Sequence, residues 1–198
     1  MVSIIGLVCV VSLSFRKNLF GNGLGIVANI GEIITQTTAG ATGLLLAPIF
    51  YLSTHVFGLN YWHKHQDGDG NMVPKSATKT VWVVTISFIT IGFSFITIGL
   101  LLFPFINNQL EKYQFIDSSD PTFYLINIIA FVLGVTAQTC MILRYSFSWW
   151  LWIVVNFVWL GVNLMNSNYI FAAQTMIYQV NAIIGLYEWY QSESSTNN

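Results

Sequence analysis

The sequence predicts an all-α membrane protein with seven transmembrane helices, and three observations lead there. Of the 198 residues, 55% are hydrophobic and 8% charged, with a mean hydropathy of +0.64, whereas soluble domains carry about 25% charged residues. Polar breaks divide the chain into seven largely uncharged runs, each near the ~20 residues that cross a bilayer as a helix. Lys and Arg collect in alternate connections between those runs, the distribution that sorts loops between the two sides of a membrane.

The first run, residues 2 to 15, is short for a span. It lacks the basic start and the small-residue cleavage site of a signal peptide and reads as a tilted or cropped helix. The second, 18 to 38, and the third, 42 to 62, hold Asn29, Glu32 and His55 among aliphatic residues. The connection 63 to 79 contains "DGDGN", which opens like a calcium loop. It has Met72 where such a loop needs its sixth-position glycine and Thr78 where it needs a glutamate, so it reads as a polar turn, with His63 and His65 solvated beside it. The fourth run, 80 to 105, forms most of a linker segment 80 to 106 and carries no charge. The fifth, sixth and seventh run from 121 to 143, 147 to 166 and 169 to 190, ahead of a polar tail, 191 to 198. Pro48 and Pro104 fall inside runs and predict kinks, which membranes tolerate.

Sidedness follows from the basic residues. Arg16 and Lys17, then Lys64, Lys75 and Lys79, then Arg144 occupy one set of connections, and Lys112 is the one basic residue on the other, beside Glu111, Asp117 and Asp120. The positive-inside rule then places the N-terminus outside and the C-terminus inside. Seven spans in 198 residues leave no room for a soluble domain. A net charge of -1 offers no basic field to nucleic acid. Cys9 and Cys140 lie in apolar runs and predict neither disulfide nor metal site.

An internal repeat organises the spans. Displaced by 127 residues, Lys17–Trp62 pairs with Arg144–Trp189 without a gap. "LGIVAN" meets "LWIVVN", "GLNYW" meets "GLYEW", Phe20 meets Phe147 and Tyr51 meets Tyr178. Each unit is three spans, an odd number, so the second would enter the membrane inverted without the unpaired fourth span to restore direction. The predicted architecture is 3+1+3: a first triple-helix bundle, 1 to 62, a cytoplasmic loop, 63 to 79, the linker helix and a second bundle, 121 to 190. Parallel repeats of this kind place substrate near the midplane between them.

The residues that could meet a substrate cluster in the second unit. Trp149, Trp152 and Asn156 share one helix face at i, i+3 and i+7, while Trp150 points elsewhere. A flat aromatic wall ending in an amide suits a planar heteroaromatic ring, and a cationic ring gains ~0.5 to 2 kcal/mol on a tryptophan face. Gln138, Tyr178 and Asn181 add groups that donate and accept hydrogen bonds. Asn29 pairs with Asn156 under the repeat, and a buried amide in hydrocarbon needs a partner helix or a wet cavity. Glu32, one turn beyond Asn29, is an intramembrane acid, hence either a proton-coupling or counter-charge group or an acid at the outer mouth. His55 reads as a packing residue. "GNGLG" lacks the strand and glycine spacing of a nucleotide loop, and "GFSF" around Ser94 lacks the second glycine of an intramembrane serine protease. With no paired acids and no histidine cluster, no enzyme, metal or cofactor is expected.

The W-x-x-W-x-x-x-N pattern of Trp149, Trp152 and Asn156, between "AQTCMILR" and "YQVNAIIGLYEW", resembles the PnuC family of vitamin transporters, and the 3+1+3 plan extends the resemblance over nearly the whole chain. The first triple matches more loosely: its first span is short, and glycines at 21, 23 and 25 replace bulky residues. The resemblance implies a SWEET-like fold, a homotrimer in the bacterial cytoplasmic membrane, and facilitated diffusion of nicotinamide riboside trapped by a cytoplasmic kinase. Relatives carry thiamine, riboflavin or deoxynucleosides, and a non-transporting membrane receptor is the reading from another class. Carried onto this chain, Trp149, Trp152 and Asn156 line the site, with Gln138, Tyr178 and Asn181 beside them. Because Asn22 and Gly25 stand where Trp149 and Trp152 stand in the second unit, the ligand is expected off the pseudo-symmetry axis, toward the second unit.

Overall fold

A computed structural model describes residues 2–38, 45–112, 121–165 and 167–196. Seven helices account for nearly all of them: α1 (Val2–Ser14), α2 (Asn18–Thr38), α3 (Leu46–His63), α4 (Lys79–Lys112), α5 (Pro121–Ile142), α6 (Ser148–Met165) and α7 (Tyr169–Thr196). Each coincides with an uncharged run of the sequence to within a few residues, except that α4 and α7 continue past the apolar stretch. α1, 13 residues long, rises about 20 Å, less than the ~30 Å hydrocarbon core. Pro48 makes no kink, because it sits in the first turn of α3, where its missing N–H has no carbonyl to lose. Glu111, Asp117 and Asp120, on which sidedness partly rests, have side chains outside the described residues.

The outer surface is apolar. α4 alone presents Val83, Val84, Ile86, Phe88, Ile91 and Phe95 outward, while Asn22, His55, Gln138 and Asn181 are buried. That inversion of a soluble protein is the distribution lipid selects, since hydrocarbon rewards no burial of leucine and penalises an exposed amide.

The basic ends of α1 and α5 finish alike. Arg16 and Arg144 hold positive φ, 61° and 71°. Arg16 N–H donates to Leu13 O and Lys17 N–H to Ser12 O, matched by Arg144 to Met141 and Tyr145 to Cys140, all at 2.8 to 3.0 Å. This is the Schellman arrangement, built on arginine where glycine is usual.

The triples α1–α3 and α5–α7 then pack crosswise, α3 against α5 and α7 against α1, with contacts that obey the 127-residue offset closely. Trp62 of α3 donates its indole N–H to Ile142 O at 2.8 Å, and Trp189 of α7 donates to Leu13 O at 3.1 Å. The first bond satisfies the terminal carbonyl of α5, and the second gives Leu13 O a further donor beside Arg16 N–H. The two rings meet edge to face at 5.6 Å. Higher up, Thr54 accepts from Gln138 Nε2 at 3.0 Å, while its counterpart Asn181 donates to Val10 O at 3.2 Å and accepts from Ser14 at 3.0 Å. Higher still, Tyr51 lies against Gly134 and Tyr178 against Gly6.

The connection between α3 and α4 is a strap across this junction. Its polar turn forms as expected, with Asp67 Oδ1 accepting from Asp69 and Asn71 N–H at 3.0 and 2.8 Å and Gly70 at φ 75°. Beyond the turn the strap is anchored to the bundle, with Met72 and Pro74 buried. Arg16 Nη1 donates to Met72 O at 3.2 Å and Arg144 Nη1 to Val73 O at 2.7 Å. Met72 N–H and Lys75 N–H return bonds to the carbonyls of Arg16 and Arg144. The Met72 side chain is fully buried in one cluster with Leu13, Trp62, Met141, Trp149 and Trp189. His63 is exposed, and His65 Nδ1 bonds Tyr61 O at 2.8 Å.

Trp62→Phe strands the Ile142 carbonyl and is expected to lower the thermal midpoint in detergent by the equivalent of about 1–3 kcal/mol, whereas Trp189→Phe, whose acceptor Leu13 O keeps its bond from Arg16, is expected to lower it by about 0.5–1.5 kcal/mol. Midpoints equal to wild type would show that the crosswise bonds contribute nothing to stability.

Candidate functional site

α6 begins at the Arg144 corner and carries the tryptophans upward from it. Trp149 is 3% exposed and meets Trp189 edge to face at 5.5 Å. It lies so close to α7 that a Cβ on Gly185 would stand 2.6 Å from its ring. Trp152, one turn on, packs half-buried against the same cluster. Trp150 faces outward. The spacing that placed three side chains on one face thus holds in the fold.

The indole nitrogens separate the buried tryptophans into two kinds. Those of Trp62 and Trp189 are bonded to carbonyls. Those of Trp149 and Trp152 are enclosed and have no partner among the described residues, and the hydroxyls of Ser146 and Ser148 at the foot of α6 share that condition. An enclosed donor without a partner costs about 1–3 kcal/mol, so this helix foot holds polar groups that an acceptor-bearing ligand would satisfy.

Asn156 completes the face. It is buried to 8% exposure and its amide takes no partner among the described residues. It lines a cleft of about 330 Å³ between α6 and α7, with Trp159, Asn163, Gln174 and Tyr178. Gln174 Nε2 donates to Tyr178 Oη at 2.9 Å, so the phenol keeps its own proton for another acceptor. From Asn163 at the non-basic end to Asn156 is about 10 Å of helix, and Trp149 lies about 10 Å further on. The cleft reaches Asn156, and the tryptophans continue the same helix face below it, toward the basic end.

The other candidates divide differently. Gln138 and Asn181 are committed to the crosswise packing described above. Asn29, buried, folds its amide back onto Gly25 O of its own helix at 2.7 Å, whereas its counterpart Asn156 is unpartnered. Glu32 is half-buried near Tyr51 and has no hydrogen bond or ion pair among the described residues. Among those residues no group of three metal-ligating side chains occurs. Sequence reasoning missed Ser146 and Ser148, and it missed that His55 faces Gly25. Serines beside an arginine corner look like ordinary loop residues, and nothing local distinguishes them.

The described residues form a helical bundle with an apolar exterior and an unpartnered Asn156 in a cleft between α6 and α7, an arrangement suited to a membrane transporter. The chain belongs to the nicotinamide mononucleotide transporter family, whose model matches residues 1–191. Its fold is similar to the crystal structure of the vitamin B3 transporter PnuC, with a TM-score of 0.68 and 19% identity over 98% of this chain and 80% of that one. No curated protein matches.

Replacing Trp149 or Trp152 by Phe removes an orphan donor, while the same change at Trp62 or Trp189 removes a satisfied one. Ring volume is lost equally in all four. The unliganded Trp149 and Trp152 variants are therefore expected to be more stable than the other two by about 2 kcal/mol, read as thermal midpoints; equal losses across the set would mean the two indoles are not orphaned.

Proposed function

We propose that the protein carries nicotinamide riboside across the bacterial cytoplasmic membrane by facilitated diffusion, the two triples of a 3+1+3 bundle rocking about a site at the foot and middle of α6. The observation that carries this is the pair of enclosed, unpartnered donors on Trp149 and Trp152, on the same helix face as Asn156, which lines the cleft. A pyridinium stacks on indole faces with favourable cation–π energy, and its carboxamide and ribose offer acceptors for the indole N–H groups and both kinds of partner for Asn156. The cleft is of the size that holds a small ligand. The names of the matched family and of the similar solved structure agree with this substrate class.

The basic residues put the strap on the cytoplasmic side. The cleft then lies toward the outer side, and the strap with its buried Met72 covers the inner end of the bundle. Release inward requires the strap and the Trp62–Trp189 contact to part, which is the rocking motion of the two units. Phosphorylation by a cytoplasmic kinase would prevent return, and the homotrimer is carried over from the family resemblance.

Uptake into liposomes tests the proposal. Saturable, gradient-driven entry of nicotinamide riboside is expected; no riboside uptake with uptake of thiamine, riboflavin or a deoxynucleoside rejects the substrate and retains the fold. Trp152→Ala and Asn156→Ala are each expected to weaken binding tenfold or more, at least ~1.4 kcal/mol, and unchanged affinity removes them from the site. Facilitated diffusion further requires uptake that does not vary with pH in wild type or in Glu32→Gln; a pH dependence abolished in Glu32→Gln would make that acid a coupling group.

A further inference from the structure

We propose that His55 reads the substrate from the first triple, presenting the lone pair of Nε2 as a hydrogen-bond acceptor opposite the tryptophan wall; the proposal rests on the transport site assigned above. The imidazole lies flat on Gly25, where a Cβ would stand 2.6 Å from each of Cδ2, Cε1 and Nδ1. Under the 127-residue offset Gly25 corresponds to Trp152 and His55 to Ala182. The two units therefore exchange bulk at one level. In the second unit the ring is on α6 and the small residue on α7; in the first the small residue is on α2 and the ring on α3. His55 is the aromatic ring that the first unit has at the height of Trp152.

Its tautomer is set by a chain of buried amides. Asn18 Nδ2 donates to Leu59 O at 2.8 Å, and a carbonyl only accepts. That leaves Asn18 Oδ1 to accept from Asn22 Nδ2 at 2.9 Å. Asn22 Oδ1 then faces His55 Nδ1 at 3.0 Å and must accept from it. The proton therefore sits on Nδ1, and Nε2 carries a lone pair. Nε2 has no partner among the described residues and is not one of the enclosed orphan atoms, so it keeps some accessible surface from which to accept. Asn18, Asn22 and His55 are 5%, 0% and 6% exposed, a degree of enclosure at which such a chain keeps its direction. A neutral acceptor suits a cationic ligand that brings donors: it takes a ribose hydroxyl or a carboxamide N–H with no charge repulsion. Asn18 and Asn22 are positioning residues for this group.

Two measurements test the assignment. In protein labelled with ¹⁵N-histidine and lacking His63 and His65, the remaining imidazole is expected to show the Nδ1–H tautomer, with Nε2 shifting when ligand is added; a proton on Nε2 overturns the proposal whatever the substrate. For binding, His55→Asn keeps a donor for Asn22 and removes the acceptor, while His55→Gln restores a polar atom at the distal position. With nicotinamide riboside, His55→Asn is expected to raise Kd at least tenfold at an unchanged thermal midpoint, and His55→Gln to recover most of it. A riboside analogue lacking the donor, with a dimethylated amide or a deoxyribose, should bind wild type and His55→Asn equally. A folded His55→Asn with wild-type affinity for the riboside and all analogues refutes the role. If wild type binds no riboside, the substrate reading has failed, and the same comparison is made with whichever of thiamine, riboflavin or deoxynucleoside binds, each with and without its hydroxyls. If His55→Asn does not fold, the tautomer and the ligand-induced Nε2 shift in wild type decide.

Discussion

Two indole N–H groups tie the two triples to each other at their basic ends. Trp62 reaches from α3 to the end of α5 and Trp189 from α7 to the end of α1, so each triple donates to a helix terminus of the other. In hydrocarbon such carbonyls have no water to turn to, and apolar contact between helices yields little net gain over contact with lipid. Directional bonds and close packing at small residues therefore carry the association. The same two rings touch each other, which fixes the height at which the triples meet.

The strap depends on that junction. Arg16 and Arg144 sit at matching corners, each in a left-handed conformation that turns its side chain toward residues 72 and 73. Met72 fits into the apolar cluster formed by Trp62, Trp149 and Trp189. Further bonds from Arg16 to Ser192 at 2.8 Å and from Ser76 to Glu193 extend the seal to α7. Apart from the Met72 side chain, these contacts are hydrogen bonds that water can replace. The basic end is thus built from interactions that can open without unfolding the bundle.

The two triples carry different chemistry at positions that match under the repeat. On α6 two tryptophans present rings and unpaired donors; on α2 and α3 the corresponding space is filled by an asparagine ladder and an imidazole. Gly58 and Gly185 show how the exchange is accommodated, since a Cβ on Gly58 would meet Asn22 and one on Gly185 would meet Trp149. One backbone arrangement therefore accepts either residue at that position.

The helices were legible because each is determined locally: a bilayer demands a run of apolar residues of a given length, and Val2–Ser14 through Tyr169–Thr196 follow those runs. The face of Trp149, Trp152 and Asn156 was legible for the same reason, being fixed by helical periodicity alone. Which polar groups are spent and which are free was decided only in the tertiary structure. Gln138 looked like Asn156 in sequence, yet it is bonded to Thr54, 84 residues away. Asn181 meets Ser14 across 167 residues, and the loop around Met72 became a buried strap through two arginines distant in the chain. Hydropathy and period are properties of neighbours along the chain, whereas the satisfaction of a donor is a property of whatever helix the fold brings beside it.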